Sequence, residues 1–203
     1  MRRALLPLAV FVSLIGLSAC ETAPPKNQDN ACEIFRHEPS WFHAMERAEA
    51  RWGAPIHIQL AIMRQESAFK ARAKAPRDHI LWVIPWGRKS SAYGYAQAQD
   101  PTWDWYRDKS GNWNADRDDF DDAADFVSWY VAQTTRMTGL SKWNAYGQYL
   151  AYHEGQGGYK RGTYNSKPWL ISVARKVERN ANIYSAQIAK CRDEFDGPWW
   201  WPF

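Results

Sequence analysis

Apolar positions recur at helical spacing along most of the chain, and this pattern predicts a mainly α fold. One helix is predicted from Ser40, as its N-cap, to about Trp52, where Gly53 ends it. Pro55 suits the first turn of a second helix, which carries Glu66 near its end. Four further helices are predicted at residues 101–107, 116–137, 143–153 and 167–191, the last with Ser166 as its N-cap.

Residues 70–90 interrupt the helical pattern. Basic residues dominate the first part of this stretch, an apolar run follows at 80–84, and Pro85 and Gly87 come next. This order is typical of a loop or a short β-hairpin. We therefore expect one small non-helical region beside the helix that carries Glu66.

The first residues have the composition of a targeting segment. Arg2 and Arg3 precede an apolar run at 5–17, which is too short to span a membrane. The run ends in Leu-Ser-Ala-Cys at 17–20, which resembles the lipobox of bacterial lipoproteins. The sequence thus predicts a lipoprotein signal peptide at 1–19, a lipidated tether at 20–33 beginning at Cys20, a globular domain at 34–195 and an aromatic tail at 196–203. The resemblance, with Glu21 after the cysteine, favours the periplasmic face of the outer membrane.

Composition limits what the mature chain can be. From Cys20 onward it has 184 residues, enough for one domain with a sizeable core. Loss of Arg2 and Arg3 lowers the basic count from 26 to 24 against 22 acids, so the net charge falls from +4 to +2. This weak charge does not favour nucleic acid as a partner.

Two cysteines remain if Cys20 carries lipid. In an oxidising compartment, Cys32 and Cys191 are then expected to form a disulfide between the two ends of the domain. Two separate buried thiols are the alternative, because spacing alone does not establish a bond.

Aromatic residues are abundant, with 13 Trp, 10 Tyr and 8 Phe. Flat rings among polar residues can stack sugar rings in a groove, although core packing explains most aromatic side chains. The tail Trp-Trp-Trp-Pro-Phe at 199–203 fits a packing plug, a sugar platform or a membrane-facing patch.

Glu66 lies where the apolar pattern of its helix stops. Desolvation and the negative end of the helix dipole both disfavour a charged carboxylate there, so its pKa is expected to rise toward neutrality. Such a group can act as a proton donor. A solvated glutamate in a last helical turn is the alternative.

Three short motifs occur in a fixed order. They are Glu-Ser-Ala-Phe at 66–69, Gly-Tyr-Ala-Gln at 94–97 with Thr102 five residues later, and Ala-Tyr-His-Glu-Gly at 151–155. Together, across about residues 58–156, they resemble the signature of the soluble-type lytic transglycosylase family, which shares the goose-type lysozyme fold. The resemblance implies a mainly α, lysozyme-like single domain.

The resemblance also implies an activity on peptidoglycan glycan strands. The β-1,4 bond between MurNAc and GlcNAc would be cleaved by attack of the muramic sugar's own hydroxyl, which gives 1,6-anhydro-MurNAc ends without water. Glu66 would act first as acid and then as base. Ser67, Gly94, Tyr95, Gln97 and Tyr152 would bind substrate, with Tyr152 also expected to hydrogen-bond Glu66 or its neighbourhood. Buried polar groups satisfied by the backbone are the alternative for Ser67, Gln97 and Tyr152. No metal or cofactor is expected.

The chain also departs from the family pattern. Asp100 stands where the family often has proline, with Pro101 one position late, and His153 replaces an asparagine. Two other functions stay open. One is a wall-binding lipoprotein without turnover, and the other is a water-using lysozyme, for which Asp100 and Glu154 are the nearest second acids.

Overall fold

The computed structural model describes residues 22–80, 84–88 and 90–197, which contain seven α-helices, two short 3-10 helices and one two-stranded antiparallel sheet. The mainly α fold predicted from the sequence is confirmed. The predicted signal peptide, the lipidation site Cys20 and the Trp-Trp-Trp-Pro-Phe tail lie outside the described residues. The helices are α1 (Ala31–His37), α2 (Pro39–Trp52), α3 (Ile56–Ser67), α4 (Asp100–Ser110), α5 (Phe120–Thr138), α6 (Ala145–Arg161) and α7 (Pro168–Cys191).

Helix α3 is the central element of the core. Most of its side chains are buried, because α2, α5 and α7 all pack against it. Its apolar residues therefore point in several directions, as expected for a helix surrounded by others. The fully or nearly fully buried residues of α3 include Ile58, Leu60, Ala61, Ile62 and Met63.

Aromatic rings fill much of the space around α3. Trp41 on α2 stacks on Phe120 with ring centroids 4.1 Å apart, and it also contacts Phe69 and Tyr95. A second group of rings joins α4 to α5 through Tyr106 and Trp129. Core packing thus accounts for these aromatic residues. Among the described residues, the most exposed indoles are those of Trp113, Trp143 and Trp169.

The hairpin consists of β1 (Arg77–Ile80) and β2 (Ile84–Arg88), paired antiparallel. It occupies the stretch for which the sequence predicted a loop or hairpin. The hairpin follows the turn at the end of α3, and an isolated bridge between Lys74 and Tyr93 closes the segment that contains it. The chain therefore leaves α3 and returns close to it before α4 begins.

The helix starts differ from the sequence prediction by one to four residues. Helix α2 begins at Pro39 with Glu38 as N-cap, not at Ser40, and α7 has Lys167 rather than Ser166 at its N-cap. Helix α5 begins at Phe120 because the carboxylate of Asp119 caps it by accepting from the N–H of Asp122. The acidic residues before 119 form a turn and not the first helical turn.

Helix α6 is longer than predicted and is broken once. It continues to Arg161, but Gly155 has φ 70° and ψ 156°, which is not helical. A positive φ is easily adopted by glycine, so the sequence places the residue that tolerates the break at the break itself. The first part of α6, up to residue 154, is the part that reaches the end of α3.

The segment before α1 packs onto the helices, although its sequence predicts a tether. Pro25 is buried, and the carbonyl of Ala23 contacts the Nε2 atom of His37 at 2.8 Å. Helix α1 starts at Ala31, inside the segment assigned to the tether.

Cys32 on α1 and Cys191 at the end of α7 form the disulfide that the sequence predicts. No helix within the described ranges is long and apolar enough to cross a membrane.

Candidate active site

Glu66 occupies the last turn of α3, directly before a strained turn. Helix α3 ends at Ser67, and the next two residues, Ala68 and Phe69, have φ values of 51° and 59°. Positive φ is costly for residues other than glycine and is concentrated at functional sites. The fully buried ring of Phe69, which contacts Trp41, helps to hold this turn.

The carboxylate of Glu66 is enclosed by protein atoms while the residue retains partial solvent exposure. Burial raises its pKa from the ordinary 4.5 to about 7, against an opposing effect from a hydrogen bond with Tyr149. Desolvation is thus the dominant cause, since it destabilises the charged form. A carboxyl group with this pKa can both give and take a proton near neutral pH.

Tyr149, a residue that the sequence analysis did not select, is the hydrogen-bond partner of Glu66. It lies on α6 and is only 4 % exposed. Burial raises the pKa of its hydroxyl far above the ordinary value, and the charge of Glu66 adds to this, so the hydroxyl keeps its proton and donates to the carboxylate. Its position one turn before Tyr152 on the same helix was the available signal in the sequence.

Tyr152 lies near Glu66 as expected, but its hydrogen bond goes elsewhere. Its hydroxyl donates to the carbonyl of Ala96 at 2.6 Å. Burial raises the pKa of this hydroxyl, and the charge of Glu66 contributes to the rise, which shows that the two groups are close. Tyr152 therefore fixes the 94–97 loop beside Glu66, while Tyr149 contacts the carboxylate itself.

Ser67 and Gln97 also donate to the backbone. The hydroxyl of Ser67 donates to the carbonyl of Met63 at 3.2 Å within α3, and Ser67 is only 6 % exposed. The side-chain amide of Gln97 donates to the carbonyls of Ala73 and Gly94 at 3.0 and 2.9 Å. Because buried donors must be satisfied, these contacts match the backbone alternative stated for both residues and give them a role in holding the site.

Gly94 and Tyr95 differ from the expectation of substrate contact. Gly94 has φ 81°, and a Cβ atom there would lie 2.0 Å from the carbonyl oxygen of Arg117. Only glycine permits this close approach, so its role is in the backbone. The ring of Tyr95 is 3 % exposed and packs edge-on against Trp41 and Phe120. That ring belongs to the core and not to a substrate-binding surface.

The two acids considered as second catalytic groups are both engaged. Asp100 forms an ion pair with Arg117 at 2.8 Å. Glu154 has a side chain that is 5 % exposed and accepts from Lys167 at 2.7 Å and from Thr163. The hydrogen bond from Lys167 is the largest cause that lowers the pKa of Glu154, to about 2. The raised pKa of Glu66 is caused by burial and not by the charge of either acid.

The segment before α1 contacts the turn at residues 68–69, which follows Glu66. The side-chain amide of Gln28 donates to the carbonyl of Ala68 at 3.0 Å. Tyr184 on α7 donates to the backbone carbonyl of Gln28, and Arg64 on α3 pairs with Asp29. No local sequence pattern connects Gln28 with a residue 40 positions later, so this contact was not foreseeable.

Replacement of Tyr149 should change the pH dependence of any reaction that needs a protonated Glu66. Tyr149→Phe removes the donor that lowers the pKa of Glu66, so this pKa should rise above about 7. The alkaline limb of the profile of kcat/KM against pH should therefore move to higher pH. Tyr130→Phe is the matched control, because the hydroxyl of Tyr130 bonds to Gln156 and not to Glu66. An unchanged or acid-shifted limb in Tyr149→Phe alone contradicts the assignment.

Comparison with protein families gives one match over most of the chain. The family model described as the transglycosylase SLT domain matches residues 8–191. A search among curated proteins found no match. The matched range contains Glu66, the 94–97 loop and the 151–155 motif, and the mainly helical single domain is consistent with the lysozyme-like fold of this family. The chain therefore belongs to the transglycosylase SLT domain family.

Proposed function

We propose that the protein is a peptidoglycan lytic transglycosylase that cleaves the β-1,4 bond between MurNAc and GlcNAc and leaves 1,6-anhydro-MurNAc ends. Membership of the family supports a transglycosylase-type activity on peptidoglycan. Glu66 is the observation that supports this specific reaction. Its carboxyl group is enclosed and has a pKa of about 7, because burial raises the pKa more than the hydrogen bond from Tyr149 lowers it.

The proposed reaction uses Glu66 twice. Protonated Glu66 gives its proton to the bridging oxygen as the bond from C1 of MurNAc to that oxygen breaks, and GlcNAc leaves with the proton. The resulting carboxylate then takes the proton of the C6 hydroxyl of MurNAc, while the oxygen of that hydroxyl forms a new bond to C1. The anhydro ring closes and Glu66 is again protonated. A pKa near neutrality suits both steps.

A water-using lysozyme is the second candidate within the enzymes. Such an enzyme usually needs a second carboxylate at a set distance from the acid, to activate water or to stabilise the positive centre. Asp100 is paired with Arg117, and Glu154 is held by Lys167 and Thr163. These contacts favour the reaction without water.

Release of soluble material from purified peptidoglycan tests the proposal against a non-catalytic wall-binding protein. The wild-type protein should solubilise peptidoglycan below about pH 7, and the release should decline above this pH as Glu66 loses its proton. A protein that cosediments with peptidoglycan but releases nothing at any pH would be a binding protein. That result would overturn the proposed enzyme.

We also propose that the mature protein is a lipoprotein anchored through Cys20 at the periplasmic face of the outer membrane. The basic start, the apolar run and the Leu-Ser-Ala-Cys sequence support this. The Cys20→Ser variant should move from the membrane fraction to the soluble fraction, because acyl chains and not a spanning helix would hold the protein. Fractionation followed by immunoblotting measures this, and an unchanged membrane fraction would point to the aromatic tail instead.

A further inference from the structure

Trp169 is an exposed aromatic residue that no part of the proposed chemistry uses. It lies in the first turn of α7, and 55 % of its surface is accessible. The ring of His153, itself partly exposed, meets the indole edge-to-face with centroids 5.1 Å apart. Together the indole and the imidazole present two exposed rings, a shape that can pack against the apolar face of a ligand.

The position of this pair along α6 relates it to Glu66. Tyr149, which bonds Glu66, and His153 are four residues apart in the unbroken first part of the helix. Residues at this spacing share a face, with Cβ atoms about 5–6 Å apart. His153, and the Trp169 ring that contacts it, therefore lie on the side of α6 that also carries Tyr149, the hydrogen-bond partner of Glu66.

Glu154 fixes both members of the pair. Its carboxylate accepts from Nδ1 of His153 at 3.0 Å and from the ammonium of Lys167 at 2.7 Å. Lys167 is the N-cap of α7, two residues before Trp169. The hydroxyl of Thr163 donates to the second oxygen. One carboxylate with 5 % side-chain exposure thus ties α6 to the start of α7, which keeps the two rings in register.

The same contact determines what His153 offers to a ligand. A carboxylate only accepts hydrogen bonds, so Nδ1 of His153 carries the proton. In the neutral ring, Nε2 is then an acceptor. An acceptor beside an exposed indole matches a sugar, which presents an apolar ring face together with hydroxyl donors.

We propose that Trp169 and His153 form a distal sugar-binding subsite for the same glycan strand that Glu66 cleaves. Trp169 stacks on the face of a pyranose ring, and Nε2 of His153 accepts from one of its hydroxyl groups. Glu154 is a positioning residue that holds both. This inference rests on the proposed function, because the strand must also reach Glu66.

Glycan binding in an inactive background tests the subsite. Isothermal titration calorimetry with a glycan of four GlcNAc-MurNAc repeats, in the Glu66→Gln variant, gives affinity without turnover. Addition of Trp169→Ala should weaken binding of this long glycan about three- to tenfold, the range expected for a lost stacking contact. Addition of Trp169→Phe should restore most of the affinity, because a ring is retained. The affinity for a single disaccharide, which occupies fewer subsites, should change less.

A second His–Trp pair in the protein supplies a matched control. His57 and Trp143 have ring centroids 5.4 Å apart, and Trp143 is 68 % exposed, but His57 lies in the first turn of α3, at the end opposite Glu66. Trp143→Ala should leave glycan affinity unchanged. Equal affinities for Trp169→Ala and Trp143→Ala would overturn the subsite and leave the proposed function standing. A Glu66→Gln parent that binds no glycan would instead overturn the proposed function and the subsite with it.

Discussion

The Glu66→Gln variant is expected to release soluble fragments from peptidoglycan at least about a hundredfold more slowly than the wild type. Glutamine keeps the shape of the side chain and can still accept from Tyr149, but its amide has no acidic proton to transfer to the departing oxygen. The rate of release from purified peptidoglycan at about pH 6 measures the loss. Turnover at the wild-type rate would remove Glu66 from the mechanism.

The same variant should be more stable than the wild type at alkaline pH. Since the folded-state pKa of Glu66 is raised from 4.5 to about 7, the folded protein binds this proton more tightly than the unfolded chain does. Wild-type stability therefore falls as pH rises from about 4.5 to about 7, and the full cost above that range is roughly 3 kcal/mol as an upper figure. Glutamine avoids this cost. Urea unfolding should show a gain at about pH 8 and little change at about pH 4.

That pair of results separates an active-site residue from a structural one. If Glu66 were needed only for packing or hydrogen bonding, its replacement would lower the stability of the protein at both pH values. A loss of activity together with a gain of stability at high pH is expected only of a desolvated carboxyl group kept for its chemistry. Equal stability of variant and wild type at both pH values would contradict the enclosed position of Glu66.

Loss of the disulfide should cause the largest change in stability. Cys32 and Cys191 are 159 residues apart, and closing a loop of this size stabilises by about 4–5 kcal/mol at most in the chain-entropy account. We expect the Cys32→Ser, Cys191→Ser double variant to lose about 2–5 kcal/mol of unfolding free energy in urea, and reduction of the wild type to have a comparable effect. A double variant as stable as the oxidised wild type would contradict this role.

Activity should fall in the same double variant below the temperature at which it unfolds. The disulfide fixes the start of α1 to the end of α7, and Gln28, four residues before Cys32, supports the carbonyl of Ala68 behind Glu66. Release of this end of the chain should loosen the turn that follows Glu66. The activity of Gln28→Ala, with the disulfide intact, measures the effect of losing only the hydrogen bond from Gln28 to Ala68.

Sequence patterns predicted the helices α2 to α7 but not α1, and they placed Glu66 at the end of α3. The apolar residues of α3 and the carboxylate at their end are local features, and the three motifs identify the family without any coordinates. The sequence does not determine the starts of α2 and α7, because two preferences compete there. Serine favours the N-cap, but Pro39 and Pro168 each occupy the first helical position, so the residue before the proline becomes the cap.

Contacts between distant segments could not be read from the sequence. A motif places Tyr152 near Glu66, yet it does not say that its hydroxyl turns to Ala96 while Tyr149 takes the carboxylate. The same holds for Ser67 and Gln97, whose donors are used by the backbone. Each of these outcomes depends on which carbonyl lies within reach in the folded protein, and that is set by the packing of α3, α6 and the 94–97 loop.

The mass of the released glycan ends tests the central claim most directly. Cleavage by the C6 hydroxyl of MurNAc adds no water, whereas hydrolysis adds one, so the two products differ in mass by one water molecule. After complete digestion of purified peptidoglycan by the wild-type protein, mass spectrometry should find the new MurNAc ends in the anhydro form, and the Glu66→Gln digest should lack them. New ends that carry the additional water would contradict a lytic transglycosylase and establish a hydrolase in its place.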